Sequence, residues 1–566
     1  MIKTNKLELT WYGKNQVFDV EPRILIENKE MSYRIKDGLK NGLFDNLLIH
    51  GDNLLALRAL EKDYTNKIKL IYIDPPYNTG SAFDFYDDNL EHSIWLGLMR
   101  ERLIILQRLL TDDGIIVIQI DDNEQAYLKV LCDEIFGRKN FVNNIVVKMS
   151  DASGPKMAHV EKKFPKLKEY LLVYKKENIK INVQTEEKKT WDNEYKNFLD
   201  IDRDKLEYIL SLENEEEIKK VNSYISEKLI PLKSAYKKYK VPNNNEEEFK
   251  FCRDNAWRIA RTSNAATIRR YIEEETDLIQ NIALMRLKDK TIFVKADFDR
   301  KSNQPRVQYV FASDTMNVPL GDLWLNINTS FNSEGGVTLK NGQKPEALIK
   351  IIVSAFTNKG DIVLDSFLGS GTTTAVAHKM RRRWIGIEMG EHAYSLAKVR
   401  MDRVINGIDN SGITSLVNWQ GGGGYNFYEL TPSLIKYDEF EQAIINNEYN
   451  ADMLASAIAL HEGYTYNPSL EVFWKQAYSS EKSFLFVTTN HINHEYLDSI
   501  YNQLEENEFL LISCKSFDSN IDKKYKNISI KKIPDSILKN CEFDKDNYNL
   551  NIINPPTYEE EDDYYE

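Results

Sequence analysis

A short apolar run that ends in Asp74-Pro75-Pro76-Tyr77 is the sequence feature that most restricts how this chain can fold. Residues 69–73 have the length and composition of a buried strand. The tetrapeptide therefore lies at a strand's carboxyl end, where open α/β sheets bind their ligands. Asp74 supplies an acceptor, Tyr77 supplies a flat ring, and the prolines leave the Asp74 and Pro75 carbonyls without the usual amide pairing nearby. These groups suit an exocyclic amine on a flat ring, although a simple turn is the alternative for Asp-Pro-Pro taken alone.

The alternation of apolar strands with amphipathic helices is interrupted once. It runs from residue 46 to 136, lapses over about 145–330, where charged residues, Asn and Tyr dominate, and resumes from 345 to 405. Strands that alternate with helices imply a parallel sheet, and the interruption is too long for a loop. We therefore expect one α/β domain whose two halves come together. The predicted boundaries are 1–45 for an N-terminal segment, 46–145 and 331–410 for the two halves, 146–330 for an inserted domain, and 411–566 for a C-terminal domain with an acidic tail.

A glycine loop provides a second candidate binding motif. Asp-x-Phe-x-Gly-x-Gly at 365–371 follows a predicted strand and opens a predicted helix. Glycines there allow a tight turn and a close approach of the backbone to a ligand. Glu388 ends the next strand, where a carboxylate can accept hydrogen bonds from both hydroxyls of a ribose. A nicotinamide site is disfavoured because Thr374 stands where a third glycine is needed, and a P-loop is disfavoured because no Lys follows the loop.

Together these motifs resemble the β-class amino-methyltransferases of DNA, in which the tetrapeptide precedes the glycine loop. Further stretches at 49–53, 92–96, 120–124 and 341–345 are similar to the modification subunits of type III restriction systems. The resemblance implies an α/β, Rossmann-like S-adenosylmethionine-dependent methyltransferase fold. It also implies that this fold is circularly permuted, with an inserted target-recognition domain and a C-terminal extension.

The same resemblance implies a cofactor site for S-adenosylmethionine, with the glycine loop cradling the cofactor and Glu388 holding its ribose. Capping of the following helix is an equal alternative for Asp52, and Pro345 also suits a helix's first turn. The candidate cofactor residues are Asp52, Asn53, Lys344, Pro345, Asp365, Phe367, Gly369, Gly371, Thr372, Thr373 and Glu388.

The implied reaction is methylation of adenine N6, because an Asp at the first position of the tetrapeptide favours adenine over cytosine N4 in this family. The base must leave the duplex. Tyr77 is expected to stack on it, while the Asp74 carboxylate and the Pro75 carbonyl accept the two amine hydrogens and aim the nitrogen lone pair at the methyl group. The candidate catalytic residues are Asp74, Pro75, Pro76 and Tyr77. Neither a covalent enzyme intermediate nor a metal is needed.

Three alternatives remain open at this point. Cytosine N4 is the nearest, followed by methylation of RNA or of a protein amide. The third is a DNA-specificity subunit with an inert methyltransferase core.

Binding to double-stranded DNA requires local positive charge, since the chain as a whole carries a net charge of −13 and phosphates must be neutralised. Two basic clusters, at 155–180 and 253–270, lie between the two motifs, although a solvated face is the alternative for either alone. The candidate DNA contacts are Lys162, Lys163, Lys166, Arg253, Arg258, Arg261, Arg269 and Arg270.

Partners and location are constrained mainly by what the sequence lacks. It contains no nuclease or helicase signature, so restriction would need a separate ATP-dependent subunit, and a homodimer is a further expectation. Its apolar stretches fall short of the ~20 residues that span a bilayer, and its start shows no apolar signal region. Its four cysteines are widely scattered. We therefore expect a cytoplasmic protein, associated with the nucleoid, that does not act on membranes.

Overall fold

The chain forms two compact units, Met1–Asn182 with Asp322–Glu566, and Val183–Gly321. The computed structural model describes residues 8–11, 13–14, 20–21, 23–34, 43–77, 92–151, 162, 164–274, 278–287, 290–327, 334–339, 342–437, 439–440, 442–469 and 471–533. Within these ranges, no helix is long and apolar enough to cross a bilayer.

The first part of the larger unit alternates strands and helices, and its packing explains why. Trp95, Met99, Leu103 and Leu106 recur at helical spacing and are all buried, which confirms the helix predicted at 91–111. The strands are β1 (Leu25–Glu27), β2 (Tyr33–Arg34), β3 (Asn46–His50), β4 (Ile68–Ile73), β5 (Leu110–Ile120), β6 (Phe141–Lys148) and β7 (Lys168–Lys175), and the helices are α1 (Asn53–Tyr64), α2 (His92–Leu109) and α3 (Gln125–Cys132).

The smaller unit has its own sheet and its own apolar core. Ile209, Ile218 and Ile225 of its helices pack against Leu284 and Tyr309 of its strands. The strands are β8 (Thr185–Glu187), β9 (Asn197–Leu199), β10 (Leu229–Pro231), β11 (Ile259–Asn264), β12 (Ala283–Leu287), β13 (Lys290–Val294), β14 (Arg306–Phe311) and β15 (Asn317–Pro319). The helices are α4 (Arg203–Leu210), α5 (Glu215–Lys228), α6 (Leu232–Lys238), α7 (Asn245–Asp254) and α8 (Ala266–Glu274). Six strands form one sheet in the order β10-β9-β11-β14-β13-β12.

The last part of the chain returns to the larger unit. The strands of this part are β16 (Leu323–Trp324), β17 (Ile362–Asp365), β18 (Arg383–Glu388), β19 (Gly424–Leu430), β20 (Ile435–Tyr437), β21 (Ala443–Ile445), β22 (Thr465–Tyr466), β23 (Ala477–Ser480), β24 (Ser483–Ile492), β25 (Phe509–Phe517) and β26 (Ile528–Lys532). Strands β22 to β26 form a separate five-stranded sheet. The helices are α9 (Glu346–Phe356), α10 (Thr372–Lys379), α11 (Val399–Ile405), α12 (Ala451–His461) and α13 (His494–Tyr501), and a π-helix over Ala393–Lys398 precedes α11.

The main sheet has the strand order β1-β19-β3-β18-β17-β4-β5-β7-β6-β16, with β2 paired to β19. Strands β19 to β5 in this order are parallel, and β7 is antiparallel to both β5 and β6. From the neighbours β17 and β4 the chain proceeds in opposite directions, to β18 on one side and to β5 on the other. This is a topological switch point, where open α/β sheets bind ligands beyond the carboxyl ends of their strands.

The inserted unit is shorter than the predicted insertion of 146–330. Strand β7 and most of the hairpin that it forms with β6 belong to the main sheet, because apolar residues at 171–174 are buried there between neighbouring strands. The predicted C-terminal domain likewise differs, since its strand β19 pairs with β3 and β1 in the main sheet. The predicted acidic tail lies outside the described residues.

Candidate active site

The tetrapeptide and the glycine loop meet at the switch point of the main sheet. Asp74 follows β4 and Asp365 ends β17, and these two strands are parallel neighbours with Leu364 opposite Ile71. Glu388 ends β18, the next strand along. Three carboxylates from two distant parts of the sequence therefore line one edge of one sheet.

Asp74 forms a close cluster with Tyr77 and Lys344. The Tyr77 hydroxyl donates to Asp74 Oδ1 at 2.6 Å, and Lys344 Nζ donates to Asp74 Oδ2 at 2.5 Å. The Asp74 side chain is 16% exposed and that of Lys344 is 10% exposed. Because a carboxylate has about four lone-pair positions, these two contacts leave Asp74 able to accept further hydrogen bonds.

Burial raises the pKa of the Asp74 carboxyl above its usual range, the Lys344 ammonium opposes that rise, and the Glu169 carboxylate adds to it. Lys344 keeps its proton, because the Asp74 and Glu169 charges outweigh the cost of burial and raise its pKa. The cluster is thus a desolvated carboxylate that depends on one ammonium group for its charge.

The backbone of the tetrapeptide is fixed by a neighbouring helix. Trp95 Nε1, on α2, donates to the carbonyl of Pro76 at 2.8 Å. Within the ranges that the structure describes, no hydrogen bond to the Pro75 carbonyl is seen.

The glycine loop is organised by its own carboxylates. Asp365 accepts hydrogen bonds from the Phe367 amide at 3.0 Å and from the Thr373 hydroxyl at 2.6 Å. Glu388 Oε2 accepts from the Gly369 amide at 2.6 Å. Burial, with the nearby carboxylates of Asp74 and Glu388, raises the pKa of Asp365 to about 7. The loop is therefore held in shape before any ligand arrives.

The loop also has the form of a cradle that fits a nucleoside cofactor. Gly369 and Gly371 have φ angles of 55° and 78°, and a Cβ on Gly371 would lie 3.2 Å from the Cα of Ala397 in the π-helix. The buried Ser366 hydroxyl has no hydrogen-bond partner among the described residues. An unpaired polar atom in a glycine-lined turn, flanked by carboxylates, matches the hydroxyl-rich ligand that the resemblance implies.

Asp52 and Asn53 serve the fold directly. Asp52 Oδ1 caps α1 by accepting from the amides of Leu54 and Leu55 at 2.9 and 3.1 Å, and its other oxygen pairs with Arg102 at 3.3 Å. Asn53 donates to the Ser366 carbonyl at 2.8 Å. The capping alternative for Asp52 is therefore realised, and Asn53 links α1 to the glycine loop.

A buried ion network lies beneath the glycine loop. Glu346, in the first turn of α9, pairs with Lys379 of α10 at 2.8 Å and with Arg400 of α11 at 2.8 Å. Arg400 also donates to the Thr372 hydroxyl at 2.8 Å, and Lys379 pairs with Asp409 at 2.7 Å. Since Pro345 and Lys344 immediately precede Glu346, this network fixes the segment that carries the Asp74 partner.

The predicted basic cluster at 155–180 does not form one surface. Lys166 pairs with Asp121 at the end of β5, whereas Lys176 bonds Asn66 and the Leu110 carbonyl at the opposite edge of the sheet. Lys162 is exposed, and Lys163 lies outside the described residues.

The five arginines of the smaller unit differ in their surroundings. Arg258 donates to Asn255 and to the Ile201 carbonyl, with its guanidinium over the rings of Phe198, Tyr239 and Trp257. Arg261 and Arg269 pair with Glu194 and Glu273 at 2.5 and 2.9 Å. Arg253, which pairs with Asp254 at 3.3 Å, and Arg270 are exposed. Arg258 is thus engaged within its own unit.

Glu169 is the site residue that the sequence analysis missed. At the start of β7, its Oε2 lies 2.8 Å from the Tyr77 hydroxyl oxygen and 3.9 Å from Lys344 Nζ. In the sequence it is one acid among lysines, before the apolar run 170–174. Only the antiparallel pairing of β7 with β5, with Tyr170 opposite Ile120, brings it to the tetrapeptide, and no local pattern signals that pairing.

Known proteins resemble this chain along much of its length. It is 36% identical over 490 residues to the probable type III restriction-modification enzyme HindVI Mod subunit of Haemophilus influenzae, covering 81% of this chain and 63% of that protein. It is 27% identical to the type III restriction-modification enzyme EcoPI Mod subunit of Escherichia phage P1, covering 71% and 65%. It therefore spans less than two thirds of either relative. A solved structure, a putative DNA modification methylase from Thermus thermophilus, is 15% identical with a TM-score of 0.31, covering 68% of this chain and 99% of that one.

A family model covers the region that contains the site. The model for DNA methylases (N6_N4_Mtase) matches residues 68–399. The match begins at β4 and includes the tetrapeptide, the glycine loop and Glu388, and it spans more than half of the chain. The chain therefore belongs to the DNA methylase family.

Proposed function

We propose that this protein transfers a methyl group from S-adenosylmethionine to N6 of an adenine flipped out of duplex DNA. The observation that carries the proposal is the meeting of Asp74, after β4, with the glycine loop, after β17, across the switch point of one sheet. Neither motif alone specifies a group transfer. Side by side, they supply an acceptor for the target amine and a cradle for the methyl donor.

The cofactor site in this proposal consists of the glycine loop and the acids beside it. Glu388 and Asp365 lie at the ends of neighbouring strands, where they can accept hydrogen bonds from ribose hydroxyls and from an ammonium group. Gly369 and Gly371, both with positive φ, form the turn of the loop that would hold the ligand. S-adenosylmethionine, when bound, supplies a methyl group attached to a positively charged sulfur. Asn53 supports this site by holding α1 against the loop, and Asp52, which caps α1, remains a candidate contact of the cofactor.

The residues of the tetrapeptide bind and orient the target amine. The Asp74 carboxylate and the Pro75 carbonyl accept its two N–H hydrogens, which draws the nitrogen lone pair out of conjugation with the ring. The Tyr77 ring stacks on the base, its orientation set by the bonds of its hydroxyl to Asp74 and Glu169. Lys344 keeps Asp74 ionised, so that the carboxylate accepts rather than donates. Nitrogen then attacks directly, with no covalent bond to the enzyme.

The remaining parts of the chain fit a sequence-specific role in restriction and modification. The unit of residues 183–321 is the proposed target reader, with the exposed Arg253 and Arg270 as candidate phosphate contacts. Because the relatives are named Mod subunits of type III restriction-modification enzymes, a separate ATP-dependent restriction subunit is the proposed partner. A homodimer in the cytoplasm is the proposed working form. Adenine N6 is preferred over cytosine N4 because the tetrapeptide begins with Asp.

The proposal is tested by incubating the purified chain with methyl-labelled S-adenosylmethionine and unmethylated plasmid DNA. We expect label in the DNA with the wild type and none with Asp74→Asn, which keeps the size of the side chain but removes its charge. Glu207→Gln, an exposed change on α4, is the matched control. No label with the wild type would refute the proposal.

A further inference from the structure

One hydroxyl group lies between two carboxylates at the catalytic tetrapeptide. The Tyr77 oxygen is 2.6 Å from Asp74 Oδ1 and 2.8 Å from Glu169 Oε2. A phenol has one hydrogen, so it can donate to only one of these oxygens at a time. If both carboxylates were ionised, the other contact would bring two acceptors together at hydrogen-bond distance. Both contacts become favourable when the group of three holds one additional proton.

Glu169 is positioned for this contact by a chain of buried side chains. Gln119 on β5 donates to Glu169 Oε2 at 2.5 Å, and the Tyr72 hydroxyl on β4 donates to Gln119 Oε1 at 2.5 Å. Gln119 and Tyr72 are both buried. The Glu169 side chain is 18% exposed, so Glu169, at the end of this series of hydrogen bonds, is in contact with water.

Tyr77 is suited to pass a proton without losing one. Burial and the two neighbouring carboxylates raise the pKa of its hydroxyl well above the usual range. The phenol therefore stays protonated, and it can accept a hydrogen from one carboxyl while it donates its own to the other.

We propose that Glu169 receives, through the Tyr77 hydroxyl, the proton that the target amine loses when it is methylated; this rests on the proposed function. An amine that gains a methyl group must lose one N–H proton to return to neutrality. That N–H bond breaks as an O–H bond forms on Asp74. The Asp74 proton moves to the Tyr77 oxygen while the Tyr77 proton moves to Glu169. Asp74 is ionised again, Tyr77 is unchanged, and Glu169 releases the proton to water.

Glu169 acts in this relay through Tyr77 and does not touch the substrate. The test must therefore separate proton transfer from support of the fold. Single-turnover methylation, with enzyme in excess over DNA and saturating S-adenosylmethionine, is measured in H2O and D2O for Glu169→Gln, Tyr77→Phe and the double variant. Glu177→Gln, an exposed acid just beyond the other end of β7, is the matched control.

Each single variant is expected to slow the transfer by roughly 10²-fold or more, the usual contribution of a positioned acid or base. The solvent isotope effect should rise above that of the wild type, because proton removal becomes the slow step. The double variant should be no slower than the slower single variant, since both changes interrupt one path. Loss of packing would lower the rate without raising the isotope effect. Tyr77→Phe keeps the ring and serves as the test if Glu169→Gln does not fold.

The two proposals fail in different ways. A wild type that transfers methyl groups, with both single variants matching its rate and isotope effect, refutes the relay alone. Multiplicative effects in the double variant also refute it. A wild type that transfers no methyl group refutes the proposed function, and the relay with it.

Discussion

At the scale of single residues, the site depends on how one carboxylate keeps its charge in a desolvated position. Tyr77, Lys344 and Glu169 contact Asp74 or its hydrogen-bond partners, and the charges of Asp365 and Asp74 also interact. Tyr72, which precedes the tetrapeptide on β4, is a further titratable group that interacts electrostatically with Asp74. Lys344 is the only cation among these named groups. The role at the cofactor that the sequence predicted for Lys344 stays a prediction. Its contact with Asp74 indicates that Lys344 controls the protonation state of that carboxyl.

Replacing Lys344 with Met should move the acid limb of the pH–rate profile to higher pH. Asp74 must be ionised to accept the amine hydrogens, so activity falls as pH drops through its pKa, which burial already raises. Without the ammonium, which now opposes that rise, the pKa of Asp74 is expected to rise further. Single-turnover rates across pH measure this, and Lys359→Met, an exposed lysine, is the control. An acid limb at the same or a lower pH would contradict this role of Lys344.

At the scale of elements, the sequence predicted the positions of the central strands well, but not which elements pack or pair beside them. Strand β17 lies at its predicted position, 362–365, and α9 and α10 agree with their predictions within about two residues. These elements are short apolar runs or amphipathic repeats, which local periodicity identifies. Glu169 and the ion network at Glu346 could not be predicted, because they depend on β7 pairing with β5 and on three helices meeting at one buried point.

Glu346→Gln should destabilise the larger unit by about 3–5 kcal/mol, since removing one partner leaves buried charges without compensation. Lys379 retains Asp409, but Arg400 loses the one carboxylate that pairs with it among the described residues. Urea unfolding followed by intrinsic fluorescence measures the change. Glu207→Gln, in an exposed pair with Arg203, should leave the transition unmoved. Equal stability of Glu346→Gln and the wild type would contradict a structural role for the network.

Gly371→Ala should weaken cofactor binding more than Gly360→Ala does. Both glycines have positive φ, at 78° and 88°, so both changes introduce strain of about 1–2 kcal/mol. Only at Gly371 would the new Cβ crowd a neighbour, the Ala397 Cα at 3.2 Å; nothing lies within 4 Å at Gly360. Calorimetry with S-adenosylmethionine makes the comparison. Equal affinities for the two variants would place the cofactor elsewhere.

At the scale of the whole molecule, the sequence predicted one interrupted α/β domain, and the structure has one main sheet built from both halves. The boundaries of the insertion were harder to predict from the sequence. The hairpin of β6 and β7 is rich in lysine at its ends, and charge there obscured the apolar strand core that joins the main sheet. The smaller unit of 183–321 carries the five arginines whose role stays a prediction.

The surroundings of those arginines predict different effects on DNA binding. Arg253→Ala and Arg270→Ala should each lower the slope of log affinity against log salt by about one, as the loss of a phosphate contact does. Arg258→Ala should instead lower the stability of the 183–321 unit, because its guanidinium bonds Asn255 and Ile201 internally. Fluorescence anisotropy on cognate and scrambled duplexes at several salt concentrations measures affinity. If these three variants, together with Arg261→Ala and Arg269→Ala, leave affinity and slope unchanged, the cluster is a solvated surface.

The most direct test of the central claim is the identity of the methylated nucleoside. Plasmid DNA is incubated with S-adenosylmethionine and either the wild type or Asp74→Asn, then digested to nucleosides and analysed by mass spectrometry. We expect N6-methyldeoxyadenosine with the wild type and no methylated nucleoside with Asp74→Asn. N4-methyldeoxycytidine in its place would contradict the assignment of adenine. Undiminished methylation by Asp74→Asn would contradict the role of the tetrapeptide itself.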